Sequence, residues 1–208
     1  MKLTEYQTTD FINEMGSDSP APGGGSASAF CGAQGAALLE MVCRLTVGKK
    51  KYAEVEDLAR ETMEKAAGVK NALMEIIDRD TEAFNAVTAV FAMPKGTEEE
   101  KAARKSAMQE ALKLCTVTPA EMMRLSAEGL DLIEKTVGKL NATAMSDLGC
   151  AVLGLRSCMQ GAWLNVLINI SGIDDETYCS MRRNEGEELA GKYLPLADRL
   201  YEEIKEKI

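Results

Sequence analysis

PAPGGGSASAFCGAQGAALLEMVCRLTVGKKKY, residues Pro20 to Tyr52, joins a glycine turn, a helix of small residues and a lysine cluster. Pro20 and Pro22 stiffen a loop, and three glycines free its dihedrals. Ser26 is a natural cap, so a helix is expected over about Ala27 to Val47, ended by Gly48. Gly32, Ala33, Gly35, Ala36 and Ala37 carry so little side-chain bulk that other backbones can approach closely. The free amides at the head of such a helix can meet an anion.

Working outward, the rest of the chain also reads as helix. Thr8 or Thr9 can cap a short helix carrying Phe11, Ile12 and Met15, with Gly16 as its stop. From about Tyr52 to Ala92, Val55, Leu58, Met63, Ala66, Val69, Leu73, Ile76, Ile77 and Phe84 recur at helical spacing, and Pro94 ends the run. Thr97 and Glu100 form a capping box for a helix reaching about Val137. Thr116-Val117-Thr118-Pro119 should kink or break that helix. A polar connector, Asn141 to Asp147, leads to a helix over about Asp147 to Ser171, with Ser146 as cap. Asp174, Asp175 and Glu176 favour a last helix start, and Pro195 is expected to interrupt the C-terminal region.

No strand alternation, linker or internal repeat is visible, and 208 residues fit a single domain. With 46% apolar but only 5% aromatic residues, the core must come from Ala, Leu, Val and Met, which favours packed helices over a β-sandwich. The expected architecture is all-α: a multi-helical up-and-down bundle with long helices. Alanine-rich helices near 40 residues are long for a monomer, so a homodimer is expected.

Several function classes are disfavoured. The net charge of −9 argues against nucleic-acid or anionic-membrane binding. No uninterrupted apolar run of about 18 residues marks a membrane span, and the first 15 residues lack a signal-peptide core; a cytoplasmic location is expected. The chain has no histidine, the commonest general base and metal ligand, so proton transfer falls to Asp, Glu, Lys, Tyr or Cys. Cys31, Cys43, Cys115, Cys150, Cys158 and Cys179 form no CxxC pair or zinc spacing and read mostly as small core residues.

Three constellations could carry chemistry. The GGGS turn matches neither a dinucleotide fingerprint nor a phosphate loop. Lys49, Lys50 and Lys51 after the same helix could hold carboxylates, or simply complement its dipole. Asp78, Asp80 and Glu82 interrupt an apolar helix, either as acids with raised pKa or as a solvated stripe. Asn141, Ser146, Asp147, Asn165 and Asn169 could orient groups on a flat heterocycle, or bridge helices.

Taken together, PAPGGGSASA (Pro20–Ala29), GAQGAALLEMVCRLTVGKKKY (Gly32–Tyr52), DTEAF (Asp80–Phe84), MPKGTEEEKAAR (Met93–Arg104), SD (Ser146, Asp147) and NVLIN (Asn165–Asn169) resemble the cyclodeaminase/cyclohydrolase family. That family is known from the C-terminal part of formiminotransferase-cyclodeaminase and from stand-alone methenyltetrahydrofolate cyclohydrolases. The resemblance implies an all-helical, dimeric enzyme acting on one-carbon forms of tetrahydrofolate. It places the catalytic aspartate on Asp80. It places substrate contacts on Gly23, Gly24, Gly25, Ser26, Lys49, Lys50, Tyr52, Asn141, Ser146, Asp147 and Asn165. Thr143 stands where the family often has a second asparagine. The implied reaction is hydrolysis of 5,10-methenyl- to 10-formyltetrahydrofolate. The alternatives are formiminotetrahydrofolate cyclodeaminase activity, with release of ammonia, and a non-catalytic folate-binding or adaptor dimer. No metal, and no cofactor beyond the tetrahydrofolate substrate, is implied. The lysines would suit the glutamate tail of polyglutamylated folates. The 208 residues contain no transferase unit, so formimino transfer is not expected.

Overall fold

The computed structural model describes residues 2–208. Among the described residues seven α-helices run up and down: α1 (Thr8–Met15), α2 (Gly24–Arg44), α3 (Glu56–Phe91), α4 (Glu98–Cys115), α5 (Val117–Thr136), α6 (Met145–Ile170) and α7 (Glu176–Lys205). No strand occurs among the described residues.

The small residues of α2 do what their size allows. α2 lies antiparallel to α6, and the two backbones meet through glycines from both helices. A Cβ on Gly35 would lie 2.8 Å from the carbonyl oxygen of Ala151, and one on Gly154 would lie 2.8 Å from that of Cys31. Further along, Gly32 meets Cys158 and Gly161 meets Ser28. The other face of α6 supplies Leu148, Val152, Leu155 and Met159 to a core shared with Met122, Leu130 and Ile133 of α5 and with Leu200 and Ile204 of α7. Burying each large side chain of this kind contributes about 1.5–3 kcal/mol.

Gly35→Ala should therefore destabilise the fold by about 1–3 kcal/mol, because the obstructing atom is backbone and cannot swing away. At this size, each kcal/mol moves the melting temperature by roughly 2–4 °C. Gly68→Ala is the control: its Cβ meets nothing within 4 Å on an exposed part of α3, and a better helix former should raise the midpoint. Thermal denaturation showing equal losses for both would contradict the close-packing explanation.

Several local expectations change. α2 begins at Gly24 with Gly23 as its cap, so Ser26 lies inside the first turn. It is buried, and its hydroxyl donates to the Ile77 carbonyl at 3.1 Å. The helix starts two residues before Ser26, so its side chain is turned toward α3 rather than back onto the first free amides. α2 ends at Arg44, and the chain turns before Gly48, whose φ is +77°. Gln7, not a threonine, occupies the cap position of α1, without a side-chain cap bond. Ser146 is not a cap either: α6 starts at Met145 after a 3₁₀ turn, leaving Ser146 exposed in its first turn.

Pro195 does not interrupt α7. The ring is exposed while Leu196, Ala197, Leu200 and Ile204 are buried, so packing outweighs a cost of about 3 kcal/mol. Gly191, whose carbonyl the ring displaces, is also exposed and can bond water. Cys150 is exposed rather than in the core, and Cys31 and Cys179 are only half-buried. Two expectations hold in detail. Glu100 N–H donates to Thr97 Oγ1 at 3.2 Å and Thr97 N–H to Glu100 Oε2 at 3.1 Å, completing the capping box. The chain breaks at Thr116, between α4 and α5.

By length and composition, the segment Ala142–Ile170 could cross a membrane, but here α6 packs within the bundle.

Candidate active site

The three acids of α3 have three different surroundings. Asp78 accepts the Leu3 N–H at 2.6 Å and the Thr4 hydroxyl at 2.7 Å, which ties down the N-terminal segment. Glu82 is exposed. Asp80 is half-buried and faces the head of α2.

There the one proton of the Ser26 hydroxyl is shared between the Ile77 carbonyl at 3.1 Å and Asp80 Oδ2 at 3.2 Å, and the Thr118 hydroxyl donates to Oδ1 at 3.4 Å. A Cβ on Gly25 would overlap both carboxylate oxygens, so the approach requires glycine. Burial raises the Asp80 pKa above the ordinary carboxylate value, and the bonds from Ser26 and Thr118 offset part of that shift. An acid held this way is poised for proton transfer nearer neutrality than a solvated one.

Thr118 reaches Asp80 because of the break after α4. Pro119 sits in the first turn of α5, where an amide would have no helical partner to lose. The buried Cys115 thiol, pushed up to about 11 by desolvation and then by the Asp80 charge, donates to the Ala83 carbonyl at 3.2 Å. Asn169 Nδ2 donates to the Cys115 carbonyl at 2.8 Å, fixing the end of α4 against α6. One turn away, Asn165 Nδ2 donates to the Gly161 carbonyl at 2.8 Å and lies 3.6 Å from where a Gly24 Cβ would stand. Gly23 to Ser26, Asp80 and Asn165 are thus brought together.

The other expected contacts lie at the far end of α2. Twenty-one residues of helix separate the two ends by about 30 Å. The Tyr52 hydroxyl accepts the Ala142 N–H at 3.0 Å and donates to Asn141 Oδ1 at 3.4 Å. The Ala142 amide is the main cause of a lowered Tyr52 pKa, with Lys51 adding to it. Asn141 is buried; its N–H donates to the Thr46 hydroxyl at 2.9 Å and its Nδ2 to the Leu45 carbonyl at 3.0 Å. It is a bridge between helices, the structural alternative raised for it from sequence. The departure at Thr143 leaves this bridge intact, since Thr143 N–H and Oγ1 both donate to Asn141 Oδ1, at 3.2 and 3.0 Å. Lys49, Lys50 and Ser146 are exposed, and Asp147 is half-buried. One chain therefore does not gather all the expected residues into a single site.

A family model described as formiminotransferase-cyclodeaminase matches residues 7–188. The chain belongs to the formiminotransferase-cyclodeaminase family. A methenyltetrahydrofolate cyclohydrolase of Methylorubrum extorquens is 43% identical over 198 residues, covering 95% of each chain. A formimidoyltransferase-cyclodeaminase of Rattus norvegicus is 30% identical over 88% of this chain but only 34% of its own length, so the chain spans about a third of that relative. The crystal structure of formiminotetrahydrofolate cyclodeaminase from Thermotoga maritima matches with a TM-score of 0.84 at 27% identity, covering 99% of this chain and 97% of the other.

In this member of the formiminotransferase-cyclodeaminase family, sequence reasoning missed Thr118, because TVTP was read only as a helix break. A hydroxyl beside the breaking proline was the available signal. A separate cavity of about 260 Å³ lies between the N-terminal segment, α2 and α3, lined by Tyr6, Phe11, Phe30 and Met74 among others. None of the expected site residues lines it.

Proposed function

We propose that this protein hydrolyses 5,10-methenyltetrahydrofolate to 10-formyltetrahydrofolate, with Asp80 as its acid–base group and residues 1–208 acting as one domain. The observation that carries this reading is the inward Asp80 carboxyl, held by Ser26 and Thr118 against the glycine turn. Likeness over nearly the whole chain to a methenyltetrahydrofolate cyclohydrolase supports the choice of reaction.

The methenyl carbon bridges N5 and N10 as an amidinium cation. Ionised Asp80 stabilises that cation and takes a proton from the attacking water as the C–O bond forms. The protonated carboxyl then gives its proton to N5 while the C–N5 bond breaks. The hydroxyl of the intermediate loses its own proton, leaving a formyl group on N10 and one proton released overall. Help of this kind typically contributes about 10²–10⁴-fold. Gly23 and Gly24 lead the backbone up to Asp80, and Asn165 lies beside Gly24, where it would meet the heterocycle. No step calls for a metal or a cofactor beyond the folate.

The second reading is cyclodeaminase activity: N10 attacks a formimino carbon on N5, and ammonia leaves. The structural likeness to formiminotetrahydrofolate cyclodeaminase favours it, and the same carboxyl could serve. Supplying purified protein with each folate separately distinguishes the readings. Hydrolysis removes the methenyl chromophore without ammonia, whereas cyclodeamination builds the chromophore with ammonia. Folate binding without acceleration of either reaction would instead indicate a non-catalytic binding protein.

The unit is proposed to be a homodimer. Cys150, Leu153, Leu164 and Ile168 form an outward stripe on α6, with Leu164 66% and Ile168 68% exposed. A twofold axis near the middle of that stripe would set two copies of α6 antiparallel. The lysine end of one protomer would then meet the glycine end of its partner, joining the two separated groups of site residues. Leu164→Glu with Ile168→Glu should yield monomers by sedimentation and lose turnover. Monomers with full turnover would contradict a shared site.

A further inference from the structure

The helix that carries Asp80 continues beyond it as an exposed aromatic track. Phe84, Thr88 and Phe91 follow Asp80 at spacings of four, eight and eleven residues, which keeps them on one side of α3. Phe84 is 38% and Phe91 63% exposed, and these are two of only four phenylalanines in the chain. An apolar ring left in water beside a candidate reaction centre is a stacking surface for a ligand.

The track ends at a cavity of about 330 Å³ in the turn between α3 and α4, lined by Phe91, Lys95, Lys101, Arg104, Lys105 and Met108. Four cations line this hollow in a protein of net charge −9. The Arg104 guanidinium lies 6.0 Å from the Phe91 ring, positioned by its Nε donating to the Val90 carbonyl at 3.1 Å. Lys95 and Arg104 make no ion pair among the described residues. Lys101 pairs with Glu98 and Lys105 with Asp174, both at 2.7 Å, but these are exposed pairs of small worth that a ligand carboxylate can replace. Of the other two acids in the first turn of α4, Glu100 is held on the Gly96 and Thr97 amides, and Glu99 makes no ion pair with Lys95 or Arg104 among the described residues. Lys95 to Arg104 also fall within the MPKGTEEEKAAR piece, for which the proposed reaction gives no role.

From these observations we infer that Phe84, Phe91, Lys95 and Arg104 form a subsite for an aromatic polycarboxylate, the p-aminobenzoyl-polyglutamate tail of the folate. This rests on Asp80 being the reaction centre. Phe91 lies about 16 Å along α3 from Asp80, eleven residues of helix. The benzoyl ring and first glutamates of an extended tail bridge that interval. The ring lies on the phenylalanines, and the carboxylates meet Arg104 and Lys95. Lys49 and Lys50, which the family resemblance suggests for the tail, lie at the far end of α2, about 30 Å from its glycine head on the same protomer.

The test compares full-length wild type, Lys95→Ala/Arg104→Ala and Lys49→Ala/Lys50→Ala. KM is measured for mono- and triglutamyl methenyltetrahydrofolate, together with binding of p-aminobenzoyltriglutamate alone and sedimentation. The hairpin double variant should raise KM for the triglutamate about tenfold and for the monoglutamate much less, while weakening p-aminobenzoyltriglutamate binding about tenfold. The Lys49/Lys50 variant should keep the tail preference. A tail preference that survives in the hairpin variant, or disappears only in the Lys49/Lys50 variant, overturns the inference. So does a hairpin variant that turns monomeric and loses both substrates equally, which would make the patch a subunit contact. Wild type that turns over both folates but fails to bind p-aminobenzoyltriglutamate overturns it while hydrolysis stands. Wild type that binds this probe but turns over neither folate leaves the polycarboxylate subsite in place and removes the hydrolase reading.

Discussion

Asp80→Asn is expected to lower folate turnover by about 10²–10⁴-fold without loss of fold. Asparagine keeps the shape of aspartate and can still accept from the Ser26 or Thr118 hydroxyl, but it can neither stabilise the amidinium cation by charge nor carry the water's proton. Stability should move the other way. Burial raises the folded-state pKa of Asp80, so its contribution to stability is fully present below the unfolded value and is lost as pH rises through the folded one. Near neutrality the ionised carboxylate is the costly form, and Asp80→Asn should melt at or above the wild-type temperature, with the difference shrinking on acidification. Turnover by wild type should fall on the acid side at a pH above the ordinary aspartate range, because the ionised form is the active one. Chromophore decay, a pH profile and thermal denaturation check these three outcomes; near-normal turnover would remove Asp80 from the mechanism.

Gly25→Ala should be nearly as damaging, although it leaves every titratable group in place. The added methyl overlaps both Asp80 oxygens, so the carboxyl must leave its bonds to Ser26 and Thr118 or α2 must move. Either response displaces the acid–base group, and misplacement of about 1 Å can cost on the order of 10²-fold. Gly24→Ala provides the contrast. Its Cβ meets Asn165 Nδ2 at 3.6 Å, an ordinary contact, and the loss should be much smaller. Steady-state rates for the two variants decide this; equal losses would show that the glycine run matters for folding rather than for the approach to Asp80.

Much of the fold was legible because α2 announces itself by small residues, and because Thr97, Glu100 and Pro119 punctuate the chain locally. Ser26 and Ser146 were misread for one reason. Capping chemistry is local, whereas Ser26 is claimed by Ile77 and Asp80 from another helix, and Met145 can extend α6 from the preceding 3₁₀ turn. Pro195 was misread because burial of its neighbours is a tertiary fact. Within the candidate site, the family pattern named the glycine turn, Asp80 and Asn165, whereas their meeting is a tertiary fact. Thr118 was not legible, since its contact spans 38 positions and depends on the angle between α4 and α5. The separation of Tyr52 and Asn141 from Asp80 was equally hidden, because motif order says nothing about which end of a helix a motif occupies.

A crystal structure of the wild-type protein with a slowly reacting methenyltetrahydrofolate analogue would locate the chemistry. The amidine carbon should lie about 3–3.5 Å from an Asp80 carboxylate oxygen, near-attack range for a group that handles the reacting proton. An analogue seated instead in the cavity lined by Tyr6, Phe11 and Phe30, or at the Lys49–Tyr52 end with Asp80 untouched, would contradict the assignment.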